Sequence, residues 1–92
     1  MIRSFKDKDT ETLFQLGRVR RFANIERSAL RKLKQLDLAQ RIDDMRAPPA
    51  NHLEKLKGDR AGQWNVRIND QFRICFRWRN GSADDVEIVD YH

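Results

Sequence analysis

Three consecutive residues near the end of the sequence, Asp90, Tyr91 and His92, offer a carboxylate, a phenol and an imidazole. That is a set for acid and base chemistry, because imidazole ionises nearest neutral pH and its neighbours can orient or polarise it. A plainer reading makes His92 a frayed tail residue and Tyr91 a plug on a sheet face. A second segment, Leu56-Lys57-Gly58-Asp59-Arg60-Ala61-Gly62, sets two glycines and two cations between an extended approach and a strand. There, backbone and charge can come close to a phosphate, although the spacing is not that of a nucleotide-binding P-loop. Cys75 alternates within a strand and has no catalytic neighbour in sequence, which makes it a packing residue. One cysteine and two histidines, His52 and His92, exclude an internal disulfide and a structural zinc site, so no metal or other cofactor is expected.

The elements that must position these residues divide the chain into a helical first half and a stranded second half. Ile2 to Phe5 alternate as a short first strand. Asp9 or Thr10 can cap a first helix that runs through Leu16 and ends at Gly17. The segment from about Asn24 to Ala39 is the clearest helix: at 100° per residue from Arg20, Phe22, Ile25, Ala29, Leu33 and Leu36 fall between about 140° and 220°. Arg20, Arg27, Arg31 and Lys34 fall within about 40° of the opposite direction. A further turn of helix over Gln40 to Met45 is stopped by Pro48-Pro49. From Gln63 the period changes to two. Trp64, Val66 and Ile68 alternate with polar residues, and after a turn at Asn69-Asp70-Gln71, with Ile68 opposite Phe72, so do Phe72, Ile74, Phe76 and Trp78. Asn80-Gly81 marks a second turn, and Val86 and Ile88 lead a last strand into Asp90. The expected fold is α+β: a short N-terminal strand, two to three helices, then a three-stranded antiparallel meander whose one face the helices cover. Trp64 and Trp78 fall on the covered face, and Arg67, Arg73, Arg77 and Arg79 share the other, which is expected to be electropositive.

Nineteen lysines and arginines against fourteen aspartates and glutamates leave a net charge of +5 in 92 residues, enough for one domain over residues 1–92. The apolar fraction is 39%, with no run of the roughly 18 apolar residues that a spanning helix needs. The N-terminus has no signal-peptide h-region, so a cytoplasmic location without membrane contact is expected. The charge balance points to a polyanion such as nucleic acid. Cations opposite the apolar stripe of a helix are also what any solvated helix shows. Arginines on a sheet face say more, because neighbouring like charges oppose pairing unless an anion offsets them.

Ile2-Arg3-Ser4-Phe5, the Leu56 to Gly62 segment, Arg73-Ile74-Cys75-Phe76 and the terminal Asp90-Tyr91-His92 together resemble the HigB toxins, or proteic killer proteins, of the RelE superfamily. The resemblance covers essentially the whole chain. It implies a RelE-like microbial ribonuclease fold and a ribosome-dependent, metal-independent endoribonuclease that cuts messenger RNA in the aminoacyl site and arrests translation and growth. It also implies a cognate HigA-like helix-turn-helix antitoxin with which the toxin forms a hetero-oligomer; free, the chain is expected to be a monomer, because the alternation from Gln63 to Ile88 and the amphipathic helix can close one core without a partner. Carried over by residue, Asp90, Tyr91 and His92 match the family's active-site tail, and Lys57 and Arg73 match basic positions near the scissile phosphate. One position departs: relatives have a histidine three residues before the lysine, where this chain has Glu54, with His52 two positions earlier. The general base is thus open among Glu54, His52 and His92. Arg60, Arg67, Arg77 and Arg79, with Arg27, Arg31 and Lys34 in support, would hold RNA. The competing class is a non-catalytic basic module that binds nucleic acid or an acidic protein, which leaves the terminal triad unexplained.

Overall fold

The computed structural model describes residues 1–91. The first helix, α1 (Lys8–Leu16), begins two to three residues earlier than the sequence suggested. Asp7, in extended backbone, is the cap: its Oδ2 accepts from the Thr10 N–H at 3.1 Å. Thr10 cannot serve as the cap because its hydroxyl is used across the fold. It donates to Asp7 Oδ1 at 2.6 Å and accepts from the Ile88 N–H at 3.0 Å, with no exposed surface. Gly17 ends the helix at φ 81°, a left-handed conformation that glycine takes without steric cost.

The second helix, α2 (Glu26–Leu38), presents Ala29, Leu33 and Leu36 inward. Phe22 and Ile25 continue the stripe from the preceding chain, Phe22 in a 3₁₀ turn over Arg20–Phe22. The expected extra helical turn is a 3₁₀ turn at Ile42–Arg46. Behind it, the buried Asn51 amide donates to the Met45 and Ala47 carbonyls and to Gln35, and Lys32 donates to its oxygen. This ties the proline-containing connection to α2.

The sheet has four antiparallel strands in the order β1 (Glu54–Lys55), β2 (Gln63–Arg67), β3 (Phe72–Arg79) and β4 (Ser82–Asp90). The expected meander is β2 to β4, and β1 is an addition to it. Two residues carry too little periodicity to be read as a strand, yet the pairing of Glu54 with Asn65 and Lys55 with Trp64 attaches the Leu56 to Gly62 segment to the sheet. Ile68 faces Phe72 across the first turn, as its Ile68 N–H to Phe72 carbonyl bond of 2.9 Å shows. Asn80 and Gly81, both at positive φ, form the second turn.

The N-terminal segment is not a full strand. It meets β4 in parallel through isolated bridges, Ile2 with Ala83 and Phe5 with Val86. The cause lies in β4, which carries one residue more than β3 between the Cys75–Glu87 and Arg77–Asp84 pairs. Asp85 takes φ 53° at this bulge, and its N–H turns to Ser4 Oγ at 2.8 Å. The bulge lets Ala83, Val86 and Ile88 all face the core despite their mixed parity. Both helices cover that face, around Leu13, Leu33, Leu36, Ile74, Phe76 and Val86, and Phe22 meets Phe72 edge to face at 6.1 Å. Trp64 and Trp78 lie at the margin of the core, half-buried. Among the described residues no helix is long and apolar enough to cross a membrane.

Thr10→Val keeps the shape but removes the cap partner and leaves the buried Ile88 N–H unpaired. It should lower unfolding free energy by about 1–3 kcal/mol in a urea titration. A second test is acid stability. Two bonds from Arg3, at 2.7 and 2.9 Å, hold the Asp84 carboxyl below the usual carboxylate range, with Arg79 adding to the effect. The depressed value gives stability that is present above the unfolded pKa of about 3.9 and lost as pH falls through the lower folded value. The urea midpoint should fall between about pH 6 and pH 3, and Asp84→Asn should shrink that difference while lowering stability at pH 6.

Candidate active site

Strand register and side-chain alternation bring chemistry-bearing residues onto the sheet face that the helices leave uncovered. One rung across the strands reads Glu54, Asn65, Cys75 and Glu87, and the next reads Arg67, Arg73 and Val89. Arg73 is the meeting point. Its Nη1 donates to Asn65 Oδ1 at 2.9 Å and lies 3.6 Å from Glu54 Oε1. Its guanidinium carbon stands 5.7 Å from the centre of the Tyr91 ring. Asn65 Nδ2 in turn donates to the Tyr91 hydroxyl at 3.4 Å. Tyr91 is brought there by its own backbone: one residue beyond β4, its N–H donates to the Gln71 carbonyl at 2.6 Å.

The face is not the bare electropositive surface expected from alternation. Each of its arginines meets a carboxylate: Arg67 with Asp70, Arg73 with Glu54, Arg77 with Asp85, and Arg79 with Asp84 and Asp85. The carboxylates arrive from turns, from β1 and from the β4 bulge, none of which strand periodicity in β2 and β3 foretells. Arg60 joins the same face, donating to Glu87 at 2.9 Å and to Gln63 at 3.1 Å. Beneath this layer Cys75 has no exposed surface, and burial pushes its thiol up to about 11, which keeps it protonated and unreactive at neutral pH. The cations of α2 behave differently. Arg27, Arg31 and Lys34, with Arg20 before the helix, are exposed and have no carboxylate partner among the described residues.

Of the residues singled out in the sequence, the structure gathers Glu54, Arg73 and Tyr91. Lys57 is exposed where the β1–β2 connection leaves the sheet, one residue past Leu56, whose N–H bonds the Gln63 carbonyl, and so beyond the rung of Gln63 and Arg77 rather than beside Arg73. His52 is exposed at φ 45°, and neither its side chain nor that of Lys57 has a hydrogen bond or ion pair among the described residues. Asp90 pairs with Phe72 on the opposite phase from Tyr91, and its carboxylate accepts from Gln71 Nε2 at 3.1 Å. His92 lies outside the described residues. Asn65 is what sequence reasoning missed. Its signal was an asparagine inside a strand, between Trp64 and Val66, where β-branched or aromatic residues are favoured.

The arrangement offers a fixed positive charge, a phenol and a carboxylate within one group joined by hydrogen bonds and an ion pair. Such a set can bind a phosphate diester, stabilise added charge on it and exchange protons with its oxygens. Among the described residues no group of His, Cys, Asp and Glu is placed to hold a metal ion.

Known proteins are similar to this chain in sequence and in architecture. The chain is 39% identical over 85 residues to Toxin HigB-1 of Vibrio cholerae serotype O1, covering 90% of each chain. It is 32% identical to Endoribonuclease HigB of Proteus vulgaris over the full length of both. In fold it is similar to a chain of the YoeB-YefM toxin-antitoxin complex from Staphylococcus aureus, with a TM-score of 0.58 at 16% identity, covering 100% of this chain and 98% of that one. The YoeB/ParE toxin from Agrobacterium tumefaciens matches with a TM-score of 0.51 at 18% identity and 99% coverage of both. The family model for the RelE-like toxin of the type II toxin-antitoxin system HigB matches residues 3–92, and the chain therefore belongs to the HigB-like toxins.

Proposed function

We propose that this toxin is a ribosome-dependent endoribonuclease, an mRNA interferase that enters the aminoacyl site, cuts the messenger there and halts translation in the cytoplasm. A HigA-like helix-turn-helix antitoxin restrains it by covering surface or blocking ribosome entry. The observation that carries the reading is the Arg73 group: a guanidinium held at mid-sheet with a carboxylate and a phenol. The group holds no serine, threonine or cysteine, and the one cysteine is buried. RNA supplies its own nucleophile in the ribose 2′-hydroxyl. A base removes that proton as the oxygen attacks phosphorus, the phosphorane gathers negative charge, and the 5′-oxygen leaves with a proton. The products are a 2′,3′-cyclic phosphate and a 5′-hydroxyl end.

Arg73 supplies fixed charge for the phosphorane, and Lys57 adds charge from the adjoining loop. Of the candidate bases among the described residues, Glu54 is the one whose side chain reaches Arg73, and it takes the 2′-hydroxyl proton in this reading. His52 stands outside the group, Asp90 supports the chain end through Gln71 from the opposite phase, and His92 serves the leaving side, with Tyr91 hydrogen-bonding the substrate. The unpaired cations at Arg20, Arg27, Arg31 and Lys34 face the phosphates of ribosomal RNA, while Arg60, Arg67, Arg77 and Arg79 frame the messenger as their carboxylate partners are displaced.

Messenger cleavage on programmed ribosomes tests the assignment, with ribosome binding measured alongside. Arg73→Ala should slow cleavage by roughly 10²- to 10³-fold, the usual loss for one contact to a developing negative charge. Glu54→Gln should slow it by roughly 10²- to 10⁴-fold, whereas His52→Ala should stay within a few-fold of the parent. Both inactive variants should still bind ribosomes. Strong loss in His52→Ala with an active Glu54→Gln would move the base to His52, and ribosome binding without cleavage by the unaltered chain would favour a non-catalytic module.

A further inference from the structure

Asn65 lies in β2 with no exposed surface. A buried amide needs partners for both its oxygen and its nitrogen, and here each partner is a member of the candidate site: Arg73 on Oδ1 and the Tyr91 hydroxyl on Nδ2. Chemistry fixes the direction of this amide. A guanidinium has only donors, so the oxygen must face Arg73 and the NH₂ must face the phenol. The phenol oxygen then accepts from Asn65, and its own proton is turned away from the sheet. Asn65 and Glu54 share Nη1 of Arg73, while Nε and Nη2 take no protein partner among the described residues.

From this geometry we infer that Asn65 is a positioning residue that sets the polarity of the site. It aims the Tyr91 O–H proton and the unused Arg73 N–H groups outward together, so that the oxygens of one phosphate diester meet both as hydrogen-bond acceptors. The inference rests on the phosphodiester reading above and adds to it a direction for the phenol, which is a donor to the substrate.

Asn65→Asp is the informative change. It is nearly isosteric and keeps an acceptor for Arg73, but it has no donor for the phenol, which must turn its proton inward to the carboxylate. Cleavage should fall about 10²-fold, the scale of loss when a reacting group is misdirected, in kcat rather than KM. In a chain that also carries Tyr91→Phe, the same change should cost several-fold less, because only the part that acts through Arg73, including the new negative charge beside the guanidinium, remains. Equal losses in both backgrounds would overturn the proposal. Tyr91 is the only tyrosine in the chain, so its tyrosine doublet in the ultraviolet resonance Raman spectrum, which is resolved from the bands of the two tryptophans, gives a second readout that needs no activity. A change in the doublet's intensity ratio in Asn65→Asp toward that of a donating phenol marks the change from accepting to donating, and an unmoved ratio would count against it. If Asn65→Asp fails to fold by circular dichroism, Asn65→Ala is carried through the same cycle and must show coupling to Tyr91→Phe of the same sign. An unaltered chain that cuts no messenger would refute the activity reading, and the tyrosine doublet would then decide the position of Asn65.

Discussion

A guanidinium set into the middle of an antiparallel sheet has to be compensated, and the compensation of Arg73 organises the functional face of this protein. Its side chain keeps only 23% of its surface exposed, so water alone does not stabilise the charge. The sheet answers with groups from three other places: the carboxylate of Glu54 from β1, the amide oxygen of Asn65 from β2 and the ring face of Tyr91 from the chain beyond β4. None is a full counter-charge at contact distance. The nearest carboxylate is 3.6 Å away and 60% exposed, an ion pair of the kind that contributes little to stability and separates readily. That partial compensation suits a phosphate-binding cation, since a tightly neutralised arginine must first give up its partner and an uncompensated one would strain the fold.

The scaffold serves this arrangement by fixing where β4 ends. Thr10 ties α1 to the Ile88 N–H, and the bulge at Asp85 shifts β4 by one residue against β3, so the strand keeps its apolar residues inward on both sides of the bulge. The Tyr91 N–H then continues the pairing onto Gln71, which brings the phenol over Arg73. On the far edge, the two-residue strand β1 performs the same service for Glu54. The site is therefore assembled from the centre of the sheet and both of its flanks, and the helices hold its back rigid.

Much of this was legible in the sequence because it follows from periodicity. The apolar stripe of α2, the even phase of β2 and β3, the Ile68–Phe72 turn and the Asn80-Gly81 hairpin are all written in local spacing. What was not legible depends on contacts between distant residues. The cap moved to Asp7 because Thr10 is engaged by β4. The first strand broke into two bridges because of a bulge more than eighty residues away in the chain, and the arginine face acquired its carboxylates from turns. Arg73 and Tyr91 could be named from their residue types and from likeness to a family. Asn65 could not, because an asparagine inside a strand is unusual but says nothing of a role until its partners, Arg73 and Tyr91, are known.

The central claim is that the sheet face directs attack by the messenger's own 2′-hydroxyl. The most direct measurement uses programmed ribosomes carrying a messenger with a single 2′-deoxynucleotide on the 5′ side of the mapped cut, compared with the all-ribose messenger, and determines the chemistry of the ends. The account predicts a 2′,3′-cyclic phosphate and a 5′-hydroxyl from the ribose messenger and no cut at the deoxy position, with ribosome binding unchanged. Cleavage of the deoxy messenger at that position, or a 5′-phosphate end, would contradict it.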